Sequence, residues 1–378
     1  VVPEFMMLLQ GVIDSPDIPL NVSRSYLQAD TAVKKISSYI TKKVSARLEE
    51  LFKDDRADFE KKWDDIKVFI EYGMLTDEKF CDSSMKYVLL KDTQNKYFTL
   101  DEYKNLVEAD QTDKDGNIIY LYSTNPVEQY TYINSANEKG YNVLLMDGQL
   151  DNHFIGLLEQ KLEKTRLVRV DSDVVDNLIR KADSKQVELT SLQRNILTTE
   201  FKSQIPVVDK ANFLVTFEAL SAKAQPIVIT QDEYMRRMKD MAAMQPGMSF
   251  YGSLPDSYNL VVNTEHPLIV KIQNEAVEKI GSDVEPLSKD IEAKNQEVSE
   301  IRSSAKDGKL SAEDEQKVKD LEKAVSDLRD KETKIISDYA SEQPDVKQLI
   351  DLALLGNGLL KGEHLSEFIR RSVSLMEK

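Results

Sequence analysis

Cysteine, glycine and proline are all scarce in this sequence. The single cysteine, Cys81, excludes an internal disulfide and a zinc site built from several cysteines. The 378 residues include 13 glycines and 11 prolines, whereas average usage of about 7% and 5% would give roughly 26 and 19. Such a composition excludes a collagen-like or linker-rich chain and favours an ordered structure that is rich in helices.

Positive charge and long apolar runs are also in short supply. Lysine and arginine number 50 against 66 aspartates and glutamates, which gives a formal net charge of −16. Nucleic acid and membranes are therefore not expected as partners, because a surface that binds phosphate must be basic. No apolar run approaches the roughly 18 residues of a membrane span.

The first residues, Val1 to Glu4, contain neither an initiator methionine nor a signal peptide. We therefore expect a cytoplasmic protein that is a piece of a longer chain.

The sequence offers little for metal or nucleophile chemistry. The three histidines, His153, His266 and His364, lack the close spacing of metal ligands, so no metal site is predicted. A nucleophilic Cys81 would need a histidine that the fold brings to it. An independent hydrolase that uses this thiol is therefore a distant alternative.

The apolar pattern of the first half predicts helices followed by a small sheet. Apolar residues at steps of three and four predict two consecutive helices between residues 30 and 70. Strand-like runs at 118–122, 143–146 and 167–170 alternate with helical segments, which predicts parallel strands covered by helices. No glycine-rich loop follows these strands, so dinucleotide binding is not expected.

The second half predicts a further mixed unit with a long insertion. After a polar linker, the pattern predicts a helix near 190–203, strands near 213–218, 226–230 and 259–262, and two last helices near 344–355 and 364–376. Residues 283–340 carry two heptad-like apolar runs around a turn, which predicts an antiparallel helical hairpin with a coiled-coil seam.

Two groups of residues stand out in this pattern. Tyr234, Met238 and Met241 share one face of a methionine-rich helix. Core packing is the commoner role of such a stripe, and an adaptable binding surface is the alternative. Arg24 and Gln28 lie four residues apart. An isolated arginine is usually solvated or paired, and the alternative is a guanidinium that reaches a phosphate supplied by another domain.

The stretch GVIDSPDIPLNVSRSYLQ at residues 11–28 closely resembles the catalytic-loop region in the middle domain of the heat shock protein 90 chaperones. Further matches follow in the family's order, at 118–123 (IIYLYS), 140–147 (GYNVLLMD), 225–244, 263–268 (NTEHPL) and 368–371 (FIRR). Apart from the hairpin insertion, the similarity covers most of the chain. It implies a molecular chaperone that assists the folding of client proteins through ATP-driven closure of a dimer.

The resemblance also implies a helix-rich fold of mixed α+β and α/β type. Residues 1–75 would form the end of the large middle subdomain and a helical connector, and 76–172 a small αβα middle subdomain. Residues 173–189 would be a linker. Residues 190–378 would form the mixed α+β C-terminal dimerisation domain, with 283–340 as a helical-hairpin insertion.

The family's nucleotide-binding domain has no counterpart in this chain. We therefore expect ATP and magnesium to bind the full-length protein, an ATPase, and this fragment to bind none and to be inactive alone. The ending, Ser374 to Lys378, lacks the acidic co-chaperone peptide of eukaryotic relatives, which indicates a bacterial form.

The matched motifs imply residues for nucleotide and client contact. Arg24 matches the family's arginine that reaches the γ-phosphate of ATP in the closed state, and Gln28 matches a glutamine that assists it. Asn21 is a weaker candidate for nucleotide contact. Compensation of the charge on the terminal phosphate explains the need for arginine.

Client contact is implied on two helices. Tyr234, Met238 and Met241 match the family's amphipathic client-contacting helix. His153 stands where the family has a tryptophan that contributes to client contact, with Phe154 beside it.

The resemblance also implies a homodimer, because the last helices of the family's members dimerise. Six apolar residues would supply the seam of a two-fold contact: Leu349, Leu352, Leu355, Phe368, Ile369 and Val373. The partners implied are a second copy, unfolded or partly folded clients, and the N-terminal ATPase domain of the same chain. The alternative from another class is a coiled-coil scaffold without ATP chemistry, which rests on the heptads at 287–335 and the acidic composition.

Overall fold

The computed structural model describes residues 2–6, 11, 31–181, 186–244, 254–303 and 310–376. The chain divides into two compact units. The first comprises residues 1–171 and 177–182, and the second comprises residues 172–176 and 183–378. The finer division into a connector, a small subdomain, a linker and a dimerisation domain stays a prediction. Of the helices in the described ranges, none combines the length and the apolar character that a membrane crossing requires.

The first unit begins with helices and continues with two small sheets. Its helices are α1 (Thr31–Asp54), α2 (Arg56–Thr76), α3 (Glu78–Ser84), α4 (Leu100–Val107), α5 (Tyr130–Glu138) and α6 (Asp151–Lys161), and α7 (Val175–Leu178) lies at the boundary between the units. Asp55 separates α1 from α2 and caps α2, because its Oδ1 accepts a hydrogen bond from the Asp58 backbone N at 3.0 Å. The break between the two predicted helices is therefore a capped turn.

A parallel sheet lies at the centre of the predicted β-α-β-α-β segment. Strands β3 (Ile118–Ser123), β4 (Val143–Leu145) and β5 (Thr165–Arg169) have the order β4-β3-β5, and both neighbours pair in parallel with β3. A short antiparallel pair, β1 (Leu89–Lys91) and β2 (Tyr97–Thr99), was not predicted. Each of these strands has three residues, too few to show an alternating pattern.

Aromatic side chains dominate the core of the first unit. Phe59 and Trp63 of α2 are buried with Tyr120 of β3, and α1 packs partly buried apolar residues against them. The structure brings helix α3 very close to α2 at Gly73. A Cβ atom at this position would lie 2.6 Å from Phe80 Cε1 and 2.8 Å from Phe5 Cδ2, so the approach requires glycine.

The second unit packs helices against a mixed sheet. Its elements are α8 (Ser191–Gln204), β6 (Ala211–Glu218), β7 (Ile227–Gln231), α9 (Glu233–Met244), β8 (Asp256–Asn263), α10 (Pro267–Ser303), α11 (Ala312–Ser341), α12 (Pro344–Gly356) and α13 (Gly362–Met376). The strand order is β6-β8-β7, with β6 parallel and β7 antiparallel to β8. Apolar residues of the sheet form one core with residues of α8, α10, α12 and α13.

The helical hairpin is formed by α10 and α11. Its first helix begins at Pro267 rather than near 283 and continues through Pro286, because Ile269 and Ile272 already belong to the core of the second unit. Beyond that core, buried residues of both helices form the seam, namely Ile291, Val298, Val318 and Val325. The predicted turn at Asp307-Gly308 lies outside the described residues.

Candidate functional site

The three residues predicted to contact nucleotide, Asn21, Arg24 and Gln28, lie outside the described residues. Their roles stay predictions. The groups predicted to contact clients and a second copy lie mostly within the described ranges, on α6, α9, α12 and α13.

Helix α9 presents part of its predicted client face to solvent. Tyr234 is 69% exposed, and Met238, one turn further on, is half-buried. Met241 belongs to the same helix, but its side chain lies outside what the structure describes. Ala242, on the same helix, is buried.

Ion pairs lie within α9 and between α9 and the sheet. Glu233 Oε1 lies 2.9 Å from Arg236 Nη2 and 2.6 Å from Arg237 Nε. Burial alone would raise the pKa of Glu233, but the two guanidinium groups outweigh it and lower this pKa. Lys239 Nζ contacts Asp256 Oδ1 of β8 at 2.6 Å. One ion pair, between Lys239 and Asp256, therefore joins α9 to the sheet, and Tyr234 lies at the surface.

Helices α12 and α13 carry an exposed apolar face. Four of the six predicted seam residues are 40–52% exposed in one copy of the chain: Leu352, Leu355, Ile369 and Val373. Met376 extends this face and was not predicted, and Leu375 is also exposed. The spacing Ile369, Val373, Met376 follows steps of four and three, which is the pattern that identifies one face of a helix.

Two of the predicted seam residues lie on the inner side of these helices. Phe368 is 7% exposed and packs in the core of the second unit, and Leu349 is partly buried against the same core. Phe368 is therefore withdrawn from the proposed seam, since its ring is already covered within one copy.

A buried carboxylate joins the two last helices. Asp351 of α12 is 1% exposed, and its Oδ2 lies 2.6 Å from Arg371 Nη2 of α13. Its Oδ1 lies 2.8 Å from Lys347 Nζ. Arg371 Nε also donates to Gln348 Oε1 at 2.7 Å. These contacts fix the two helices relative to each other, so the exposed apolar face has a defined geometry.

The predicted client residues of α6 point in different directions. His153 is exposed, whereas Phe154 is 1% exposed and lies in the aromatic core of the first unit. A side chain with almost no accessible surface makes no contact with a client in this conformation. Phe154 is therefore withdrawn from the proposed client surface, and His153 remains.

The structure gives no support to thiol or metal chemistry in the described ranges. Cys81 is buried, and burial raises the pKa of its thiol, which disfavours the reactive thiolate. Within the same ranges, no three histidine, cysteine, aspartate or glutamate side chains are grouped to hold a metal ion.

Comparison with known proteins establishes the family. The family model described as Hsp90 protein matches residues 1–286, so the chain belongs to the heat shock protein 90 family. It is 52% identical to the chaperone protein HtpG of Porphyromonas gingivalis over 383 residues, which cover 100% of this chain and 55% of that protein. It is 51% identical to the chaperone protein HtpG of Bacteroides thetaiotaomicron over 379 residues, which cover 100% of this chain and 56% of that protein.

A more distant relative aligns with a smaller part of this chain. The chaperone protein HtpG of Clostridium acetobutylicum is 25% identical over 284 residues, which cover 72% of this chain and 42% of that protein. The alignments with the Porphyromonas and Bacteroides proteins extend through the hairpin and the last helices, which lie mostly beyond the family match. The chain spans about half the length of these two relatives.

These comparisons confirm two predictions from the sequence. The family resemblance is confirmed, and the helix-rich α+β fold agrees with it. The coiled-coil scaffold is not favoured, because the relatives that align over the whole chain, including the hairpin, are named chaperones.

Proposed function

We propose that this chain is the middle and C-terminal part of an ATP-driven molecular chaperone of the bacterial cytoplasm. Family membership and the identity of 52% with a protein named as a chaperone support this proposal. In the proposed cycle, the chain contributes a dimer contact, part of the client surface and an arginine that contacts ATP.

The observation that carries the proposal is the exposed apolar face of α12 and α13. Leu352, Leu355, Ile369 and Val373 each leave two-fifths or more of their surface in contact with water in a single copy. Burial of apolar surface contributes about 25 cal/mol per Å². A two-fold contact between identical faces buries every such residue twice, so this face fits a homodimer.

The proposed client surface combines Tyr234, Met238 and Met241 of α9 with His153 of α6. Methionine side chains are flexible and polarizable, which suits contacts with many different unfolded sequences. Clients in this proposal are unfolded or partly folded proteins.

The proposed nucleotide contact uses Arg24, assisted by Gln28 and Asn21. ATP and Mg²⁺ would be bound by an N-terminal domain of the full-length protein, and closure would bring the Arg24 guanidinium to the γ-phosphate. A positive group at this place stabilises the negative charge that develops on the transferred phosphoryl oxygens.

The test is to replace Arg24 in the full-length protein. We expect Arg24→Ala to lower the steady-state rate of ATP hydrolysis at least tenfold, because arginines in comparable roles contribute on the order of 10³-fold or more. Nucleotide affinity, measured by titration with a fluorescent ATP analogue, should change little. Arg47→Ala is the matched control, since Arg47 makes an exposed pair with Glu50. Unchanged turnover in Arg24→Ala would refute the proposed role of Arg24.

A further inference from the structure

A pocket of about 370 Å³ lies in the first unit, between α2, β1 and the loop that joins β4 to α6. Its walls include the apolar side chains of Trp63, Val68, Leu90 and Leu150. The charged side chains at the pocket are Asp64, Lys67, Glu71, Lys91 and Asp147. Its volume lies within the range of ligand pockets, about 300–1,000 Å³.

A buried charge cluster borders this pocket. Glu71 of α2 and Asp151 of α6 are each 2% exposed, and Lys67 Nζ lies 2.9 Å from Asp151 Oδ2 and 3.7 Å from Glu71 Oε1. The backbone N of Gly148 also donates to Asp151 Oδ2 at 2.8 Å. Asp151 Oδ1 is buried without a hydrogen bond from another described group. Two carboxyl groups therefore share a single ammonium group.

This imbalance is relieved by a proton on Glu71. Burial, together with the neighbouring Asp151, raises the pKa of Glu71 to about 8, although the charge of Lys67 opposes this rise. A protonated Glu71 is also a donor for the Asp151 carboxylate. At neutral pH the cluster is therefore close to electrically balanced, and an ionised Glu71 needs a further cation beside it.

The two lysines of the pocket are already engaged. Lys91 Nζ lies 2.8 Å from Asp64 Oδ2, and Lys67 is held between Asp151 and Glu71. Glu71 inside and Asp147 at the exposed rim remain to receive an incoming positive group. An apolar wall with carboxylates beside it fits a side chain that has a methylene stem and a cationic head.

We propose that this pocket binds the basic side chain, arginine or lysine, of a polypeptide partner. The methylene stem would lie along the apolar wall, and the cationic head would lie near Glu71 and Asp147. Binding exchanges one cation for one proton: the Glu71 carboxyl group releases its proton to solvent and becomes a carboxylate paired with the ligand. The proposal stands apart from the ATP chemistry, and its test does not involve nucleotide.

The single tryptophan provides a local signal for the test. Trp63 is the only tryptophan of the chain and lines the pocket, so its fluorescence reports occupancy. The 378-residue chain would be titrated with N-acetyl-arginine methylamide, and with N-acetyl-citrulline methylamide as the neutral probe of nearly the same shape. At pH 9 we expect the arginine probe to bind at least tenfold more tightly than the citrulline probe. Its affinity should rise about tenfold from pH 7 to pH 9, because the ionised fraction of a group with a pKa near 8 rises from roughly 0.09 to roughly 0.91.

Substitution of Glu71 distinguishes binding at this pocket from effects of pH elsewhere in the protein. Glu71→Gln should abolish the rise with pH and weaken binding of the arginine probe at least tenfold at pH 9. Glu200→Gln is the matched control, since Glu200 is a buried glutamate of the second unit with a pKa near 8, and it should leave binding unchanged. Equal affinity for both probes, or a rise with pH that survives in Glu71→Gln, would overturn the proposal.

A calorimetric measurement on the unsubstituted chain gives an answer that does not depend on the folding of any variant. Titration of the arginine probe at pH 7, in two buffers with different ionisation enthalpies, measures the protons released. Release of close to one proton for each bound probe supports the exchange with Glu71, and release of none contradicts it.

Discussion

Glu71 and Glu200 are two glutamates that the fold buries, one in each unit. Burial raises the pKa of each to about 8, with an added effect of Glu275 on Glu200. Both oxygens of Glu200 are buried without a hydrogen-bond partner among the described residues, which is consistent with a neutral carboxyl group. Each glutamate therefore holds a proton in the folded protein near neutral pH that the unfolded chain releases.

Stability should consequently fall as the pH rises. The pKa of Glu71 is raised from 4.5 to about 8, so its stabilising contribution is complete below pH 4.5 and disappears as the pH rises through 8. In that interval one bound proton changes the free energy of unfolding by about 1.4 kcal/mol per pH unit. We expect Glu71→Gln to unfold at a higher urea concentration than the parent chain at pH 9, and to show a smaller loss of stability between pH 6 and pH 9.

Trp63 fluorescence measures this effect, because the indole is buried in the core of the first unit, to which Glu71 also belongs. Glu200→Gln serves as the control and should leave the urea midpoint reported by Trp63 unchanged, since Glu200 lies in the other unit. A parent chain with equal midpoints at pH 6 and pH 9 would show that Glu71 is ionised in the folded state at both.

Single residues also show where sequence reasoning stops. The sequence analysis assigned both His153 and Phe154 to the client surface. Consecutive residues of a helix are about 100° apart around its axis, and of these two only His153 is exposed to solvent. Phe368 and Ile369 differ in the same way. The pairing of Lys67 with Asp151 joins residues 84 positions apart, and no local sequence pattern predicts such a long-range contact.

At the scale of elements, α9 is joined to β8 by the Lys239–Asp256 ion pair and carries Tyr234 at its surface. We expect Met238→Glu in the full-length protein to weaken binding of an unfolded client about fivefold or more, since a charge on an apolar contact must lose its hydration. Fluorescence anisotropy of a labelled, reduced and carboxymethylated lactalbumin measures this affinity. Val207→Glu, at a residue that is 91% exposed and outside α9, is the control. Equal affinities of all three proteins would assign Met238 to packing within the unit.

The last two helices carry the prediction of a dimer. We expect the double substitution Ile369→Glu and Val373→Glu to raise the dimer dissociation constant at least a hundredfold, because it places two charges of each copy in an apolar contact. Sedimentation equilibrium of the parent and the variant measures this constant. Val127→Glu, at an exposed residue of the first unit, should leave it unchanged. A variant that remains as strongly dimeric as the parent would place the interface elsewhere.

Regular elements were the most predictable part of the fold. The three parallel strands of the first unit and the two helices of the hairpin follow from apolar spacing, because each has one face or both faces buried over several residues. The start of α10 at Pro267 could not be placed, since the helix continues without interruption from the core of the unit into the hairpin seam. The three-residue strands β1 and β2 were missed for lack of length.

At the scale of the whole molecule, the chain covers about half of its Porphyromonas and Bacteroides relatives. Its proposed role is therefore that of a partner to the remaining half. In the proposed cycle, the remaining half would hold the nucleotide and this chain would deliver the activating arginine. Such an arrangement would make hydrolysis dependent on closure, because the proposed catalytic groups would meet only then.

The most direct test of this account is ATP turnover by a separately purified N-terminal domain of the full-length protein, measured with and without this chain. The account predicts that the rate rises when the chain is added and that Arg24→Ala abolishes the rise while Arg47→Ala does not. A rate that is the same with and without the chain, or a rise that Arg24→Ala leaves intact, would contradict it.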